Sequence, residues 1–191
     1  KIRIGTEVLE MKKRVYLTSK QDGLKLHVLL MEPEEEPKGI VQIVHGMAEH
    51  KERYEPFMEM LCKQGYISII HDHRGHGKSI RAKEDLGYFY DESGKAIVED
   101  VHQITQWAKD RYGEMPYHLF GHSMGSLVVR CYLKKYDNEL DSLIICGSPS
   151  ENKAAKAATL LAKAACKIRP HKRGDFFQKL AFGLYGKILE E

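Results

Sequence analysis

At 191 residues the chain suits one domain, large enough to bury a core without disulfide or metal staples. Hydrophobic residues at 42%, charged residues at 30% and a net charge of +3 are the proportions of an ordinary soluble globular protein. They exclude a membrane-spanning reading, since no run approaches the ~18 apolar residues of a span, and no charged-then-apolar leader opens the chain.

Residue 1 is a lysine, so a natural start upstream of it is expected. The stretches 13–19 (KRVYLTS) and 25–33 (KLHVLLMEP) read as strands separated by the turn signal Gln21-Asp22-Gly23. The run 39–46 (GIVQIVHG) is almost wholly apolar and rich in Ile and Val, as expected of a strand buried on both faces. Tyr54, Phe57, Met58 and Leu61 then recur at the spacing of one helix face, and Gly65 ends that helix. A second buried strand follows at 66–72 (YISIIHD). Ile97, Val101, Ile104 and Ala108, with Trp107 beside them, predict a helix closed by Gly113. The strand 117–121 (YHLFG) leads into a helix whose apolar face is expected at Met124, Leu127, Val128 and Cys131. One more strand, 142–147 (SLIICG), precedes Pro149.

Beyond Pro149 the pattern is helical and the charge changes sign. Residues 1–150 hold 21 basic and 23 acidic side chains, whereas residues 151–191 hold 9 and 4. A basic amphipathic segment fits a solvated helix face, a membrane-surface element or a lid over a site. Two regions are therefore expected, 1–149 and 150–191. The four cysteines (Cys62, Cys131, Cys146, Cys166) are far apart and contain no C-x-x-C pair. They predict small buried thiols in a reduced, cytoplasmic protein, with neither a disulfide framework nor a zinc site.

Strands alternating with helices predict an α/β protein, a mostly parallel sheet with helices on both faces. Sites in such sheets sit beyond the carboxyl ends of the strands. Those ends carry HGMAEH (45–50), HDHRGHGKS (71–79) and GHSMGS (121–126), so all three segments should meet at one edge. Gly121-x-Ser123-x-Gly125 between a strand and a helix is the pattern of a nucleophile elbow, where a sharp turn exposes a serine hydroxyl at a helix N-terminus. A serine in that place could instead serve only to cap the helix.

Those three segments, in that order and at those separations, make the chain from about Val15 to Pro149 resemble the α/β-hydrolase superfamily. Within it the chain resembles the monoacylglycerol lipase and lysophospholipase group, also described as serine aminopeptidase-like hydrolases. The resemblance implies Ser123 as nucleophile, and the backbone N–H groups of Met47 and Met124 as the oxyanion hole. It implies that His45 and Gly46 shape the oxyanion loop, and that Asp72, Arg74, Gly75, His76 and Gly77 form a structural turn. The implied substrate is a small lipid ester, with no cofactor, at most peripheral membrane contact and cytoplasmic localisation. The region 1–149 would be the N-terminal part of the hydrolase core, and 150–191 the start of a cap or lid.

Other chemistries fit the sequence less well. His71, His73 and His76 lack the Cys or second cluster that would complete a metal site. A P-loop would need glycine where Asp72 stands, and a dinucleotide fingerprint would need glycine at Ile80. No basic and aromatic interleaving suggests nucleic acid. In this fold the acid and histidine of a triad follow the serine. The histidine after Ser123 is His171, and Glu151 is the acid at the correct sheet edge, whereas Asp141 precedes its strand. Ser123–Glu151–His171 is one option; the other is that acid and base lie beyond Glu191, the chain being the front part of a hydrolase that ends within or after the cap. An uncovered sheet edge would then favour self-association. A peptidase or thioesterase on the same scaffold, and a non-catalytic binding protein built on it, remain alternatives.

Overall fold

A computed structural model describes residues 12–91 and 93–150, which lie within one unit of the chain, Lys1–Ser150. Six strands form a single mixed sheet: β1 (Lys12–Thr18), β2 (Lys25–Met31), β3 (Gly39–Val44), β4 (Tyr66–His71), β5 (Tyr117–His122) and β6 (Ser142–Cys146). Their spatial order is β1-β2-β4-β3-β5-β6. The first two strands pair antiparallel, as do β2 and β4, and the pairs β4–β3, β3–β5 and β5–β6 are parallel.

Among the described residues three α-helices cover the sheet: α1 (Glu55–Lys63), α2 (Ala96–Tyr112) and α3 (Met124–Tyr136). The period-2 alternation of the strands divides the core in two. Leu26, Val28, Ile40, Ile67, Ile69, Tyr117 and Leu119 face the side covered by Ile97, Val101, Ile104 and Ala108 of α2 and by Val128, Val129 and Tyr132 of α3. Leu29, Val41, Ile43, Ile70 and Phe120 face α1, through Phe57, Met58, Leu61 and Cys62. Both faces of β3 are thus buried, which explains its continuous apolar sequence. Each such aliphatic side chain contributes roughly 1.5–3 kcal/mol of burial free energy.

Gln42 interrupts that run, and the fold gives both its amide nitrogen and its amide oxygen hydrogen-bond partners. Its Nε2–H donates to the Val101 carbonyl at 3.0 Å, and its Oε1 accepts from Thr105 Oγ1 at 2.7 Å and from the Tyr117 hydroxyl at 2.5 Å. This knot joins the middle of β3 to α2 and β5.

Two sequence expectations need correction. The inner face of α3 is Gly125, Ser126, Val128, Val129 and Tyr132, whereas Leu127 is 42% exposed and Cys131 is exposed. The rotation is set at the start of the helix: Gly125 abuts the β3 backbone, so the first turn faces inward with its small residues Gly125 and Ser126, and Val128, Val129 and Tyr132 follow on the same face. The cysteines divide likewise, since Cys62 is buried while Cys131 and Cys146 are exposed. The helical region expected after Pro149, with Glu151, Cys166 and His171, lies outside the described residues.

Candidate active site

The parallel arrangement of β4, β3 and β5 brings the ends of all three strands to one edge of the sheet. Ser123 sits there, between His122 of β5 and Met124 of α3, with φ +51° and ψ −118°. A non-glycine residue in that region costs on the order of 1–3 kcal/mol and persists only where its surroundings enforce it. Here the two flanking glycines make room for it. A Cβ on Gly125 would lie 2.0 Å from the Val44 carbonyl oxygen, and one on Gly121 would lie 2.6 Å from Val129 Cγ2. Glycine at both positions lets α3 start in contact with the β3 backbone, which forces the turn at Ser123.

The Ser123 side chain makes no capping hydrogen bond, so its hydroxyl is not spent on the helix N-terminus. Its backbone N–H donates to the Cys146 carbonyl at 3.0 Å, and its carbonyl accepts from the Ser126 N–H and hydroxyl at 3.0 and 2.5 Å. The backbone is held on both sides while the hydroxyl stands at the positive end of a 13-residue helix.

The loop after β3 lies against this turn. A Cβ on Gly46 would fall 3.2 Å from Ser123 Cβ. The Gly46 carbonyl is 2.7 Å from His45 Nδ1, and His45 Nε2 is 3.0 Å from the His73 backbone nitrogen. A backbone N–H can only donate, so Nε2 accepts and Nδ1 carries the proton that binds the Gly46 carbonyl. Burial holds His45 neutral by pulling its pKa down to about 4. The Gly46 carbonyl and the Met47 N–H are opposite sides of one trans peptide, so anchoring the first inward turns the second away from His45. The structure thus places Met47 in the turn beside Ser123 and Met124 immediately after it.

The segment after β4 buttresses that loop. Asp72 is buried and its oxygens are occupied: Oδ1 accepts from the Lys51 N–H at 2.8 Å, and Oδ2 accepts from Lys51 Nζ at 2.6 Å and from the Lys78 N–H at 2.9 Å. Gly77 is required there, because its Cβ would fall 2.3 Å from the Asp72 carboxyl carbon. Arg74 is likewise occupied, donating to Asp100 at 2.7 Å and to Ser19 at 3.2 Å. His45, His71, His73 and His76 form a buried cluster of rings, with centroids 4.1 Å apart for His45 and His73 and 5.0 Å for His71 and His73. Among the described residues no three His, Cys, Asp or Glu side chains are grouped to hold a metal ion.

The sequence assigns Glu49 no role and Tyr54 only a place on a helix face, yet both line a cavity of about 290 Å³ with Arg53, Phe57, Phe120 and His122. The Tyr54 hydroxyl donates to Glu49 Oε2 at 2.7 Å and lies 2.9 Å from His122 Nδ1. The one available signal is that Glu49 falls within the HGMAEH segment; the partner His122 is 68 positions from Tyr54 and is joined only by the fold. No hydrogen bond to the Ser123 hydroxyl is made among the described residues.

The family model for serine aminopeptidase S33 matches residues 35–180. A monoacylglycerol lipase of Mycolicibacterium smegmatis is 30% identical over 65% of the chain and 43% of its own length. A phospholipase of Bacillus subtilis is 30% identical over 73% of the chain and 52% of its length. Among solved structures, a thermostable carboxyl esterase from Bacillus coagulans superposes with a TM-score of 0.72 at 29% identity, covering 82% of this chain and 51% of that one. The fold is that of the α/β-hydrolases. The chain spans about half or less of the length of these relatives. Among the described residues no helix is long and apolar enough to cross a membrane.

Proposed function

This chain belongs to the serine aminopeptidase S33 family, and from that premise we propose that it carries the nucleophile of a serine-dependent carboxylic ester hydrolase acting on monoacyl lipids. The observation that carries the reading is the left-handed backbone of Ser123 at the head of α3, with its hydroxyl uncommitted to capping. Ser123 Oγ attacks the ester carbonyl, the alcohol leaves, and water hydrolyses the resulting acyl-enzyme. The N–H groups of Met47 and Met124 receive the oxyanion, a contribution worth several kcal/mol when such donors are held in place beforehand. No cofactor enters this chemistry.

The general base and its acid are either His171 with Glu151 or groups outside these 191 residues. In this reading residues 1–149 are the N-terminal part of the hydrolase core and 150–191 the start of a cap or lid. Monoacylglycerols or lysophospholipids as substrates are supported by the activities for which the relatives are named. Free thiols at Cys62, Cys131 and Cys146 fit a reducing, cytoplasmic compartment, with at most peripheral membrane contact. The half-exposed Ile144 and Ile145 of β6 support self-association at that end of the sheet.

The family description also favours a second reading, hydrolysis of aminoacyl amides. Comparing a monoacylglycerol series with aminoacyl amides on the full-length protein separates the two. The expected result is turnover of the monoesters well above the amides; a preference for the amides replaces lipase with peptidase. In the same assay, loss of turnover in His171→Ala assigns the base to His171, and unaffected turnover places it elsewhere.

A further inference from the structure

Both arms of the proposed oxyanion hole converge on one carboxylate. Glu49 Oε2 accepts from the Gly46 N–H at 2.9 Å, one residue before Met47, and from the Tyr54 hydroxyl at 2.7 Å. Because the tyrosine proton is given to the carboxylate, the Tyr54 oxygen is free to accept from His122 Nδ1–H at 2.9 Å. His122 immediately precedes Ser123, and its Nδ1 also lies 3.4 Å from Glu49 Oε2. The loop after β3 and the turn after β5 are thus tied through side chains that reach neither Ser123 Oγ nor either proposed oxyanion donor.

We propose that Glu49 is a positioning residue, whose shared oxygen holds the Met47 loop and the Ser123 turn in register through Gly46, Tyr54 and His122. The inference rests on the assignment of Ser123 and the Met47 and Met124 amides made above. The geometry argues for position over charge. A carboxylate beside an oxyanion hole opposes the negative charge that develops there, so its benefit must come from the groups it orients. Three polar groups meet on Glu49 Oε2, while Oε1 lies 3.4 Å from the mostly exposed Arg53 guanidinium. Burial alone would raise the Glu49 pKa, but the hydrogen bonds from Tyr54 and Gly46 and the nearby His122 outweigh it and keep the group an acceptor at neutral pH.

A glutamine at position 49 still offers Gly46 and Tyr54 an acceptor oxygen, whereas alanine offers none. Displacing catalytic groups by an ångström costs on the order of 10²-fold, so Glu49→Ala in the full-length protein should lower kcat for a monoacylglycerol by about 10–100-fold and leave KM within about threefold. Glu49→Gln should recover most of that loss. Adding Tyr54→Phe to Glu49→Ala should cost little more, because the two act through one link. Wild-type turnover abolished by Ser123→Ala verifies the underlying assignment separately. Amide NMR reads the link without turnover: the Gly46 and Met47 N–H signals should move in Glu49→Ala and stay near wild type in Glu49→Gln. Unchanged kcat in Glu49→Ala, an equal loss in Glu49→Gln, an effect on KM alone, or unmoved Gly46 and Met47 signals in Glu49→Ala would overturn the inference.

Discussion

At His45, His71 and His73 the chain buries three imidazoles that must stay neutral in the folded state. Burial pulls His45 to about 4 and His71 to about 3, and holds His73 well below its ordinary value. His71 is the most exposed to this cost in energetic terms, since neither ring nitrogen has a hydrogen-bond partner among the described residues. In the unfolded chain each imidazole titrates near 6.5. Below that pH the unfolded state binds more protons than the folded one, so stability falls as pH falls from about 6.5 to about 4 for His45 and on to about 3 for His71. With three groups contributing, the loss approaches about 4 kcal/mol per pH unit at its steepest. Urea midpoints between pH 7 and pH 4.5 should drop along that slope, and His71→Leu should make it shallower by about one proton. A midpoint unchanged from pH 7 to pH 5 would contradict the neutral cluster.

The elements show which features a one-dimensional reading can reach. The strands β3 and β4 were legible because burial on both faces demands a run such as GIVQIV, and α1 and α2 because their apolar residues recur at helical spacing. The sharp turn at Ser123 was legible because it needs two glycines at fixed offsets from one serine, a local requirement. The face of α3 was not, because it is set by the contact of Gly125 with β3, and a missing side chain leaves no hydrophobic signal. The Glu49–Tyr54–His122 link was hidden for a related reason: it spans elements joined only by the sheet. Gln42 belongs to the same class, a polar residue whose partners come from α2 and β5. Replacing it by leucine strands the Tyr117 hydroxyl, so Gln42→Leu should lower stability by about 1–3 kcal/mol. Adding Tyr117→Phe should restore part of the loss, because removing both partners is less costly than removing one. A Gln42→Leu protein as stable as wild type would show that the network carries no weight.

On the scale of the whole molecule, the sheet order brings three loops to one edge, and in the proposed function each supplies a different part. The turn after β5 presents Ser123, the loop after β3 presents Met47, and the segment after β4 supports that loop through His73 and Asp72. The distances among these parts follow from parallel strands at adjacent positions, so the site is a property of the fold more than of any single motif. Family membership accounts for the fold, and the uncommitted Ser123 hydroxyl accounts for the proposed chemistry. The most direct measurement is covalent: treat the full-length protein with a fluorophosphonate probe and locate the adduct by peptide mass spectrometry. The account predicts one adduct, on Ser123, absent in Ser123→Ala; labelling that persists in Ser123→Ala, or an adduct on another residue, would contradict it.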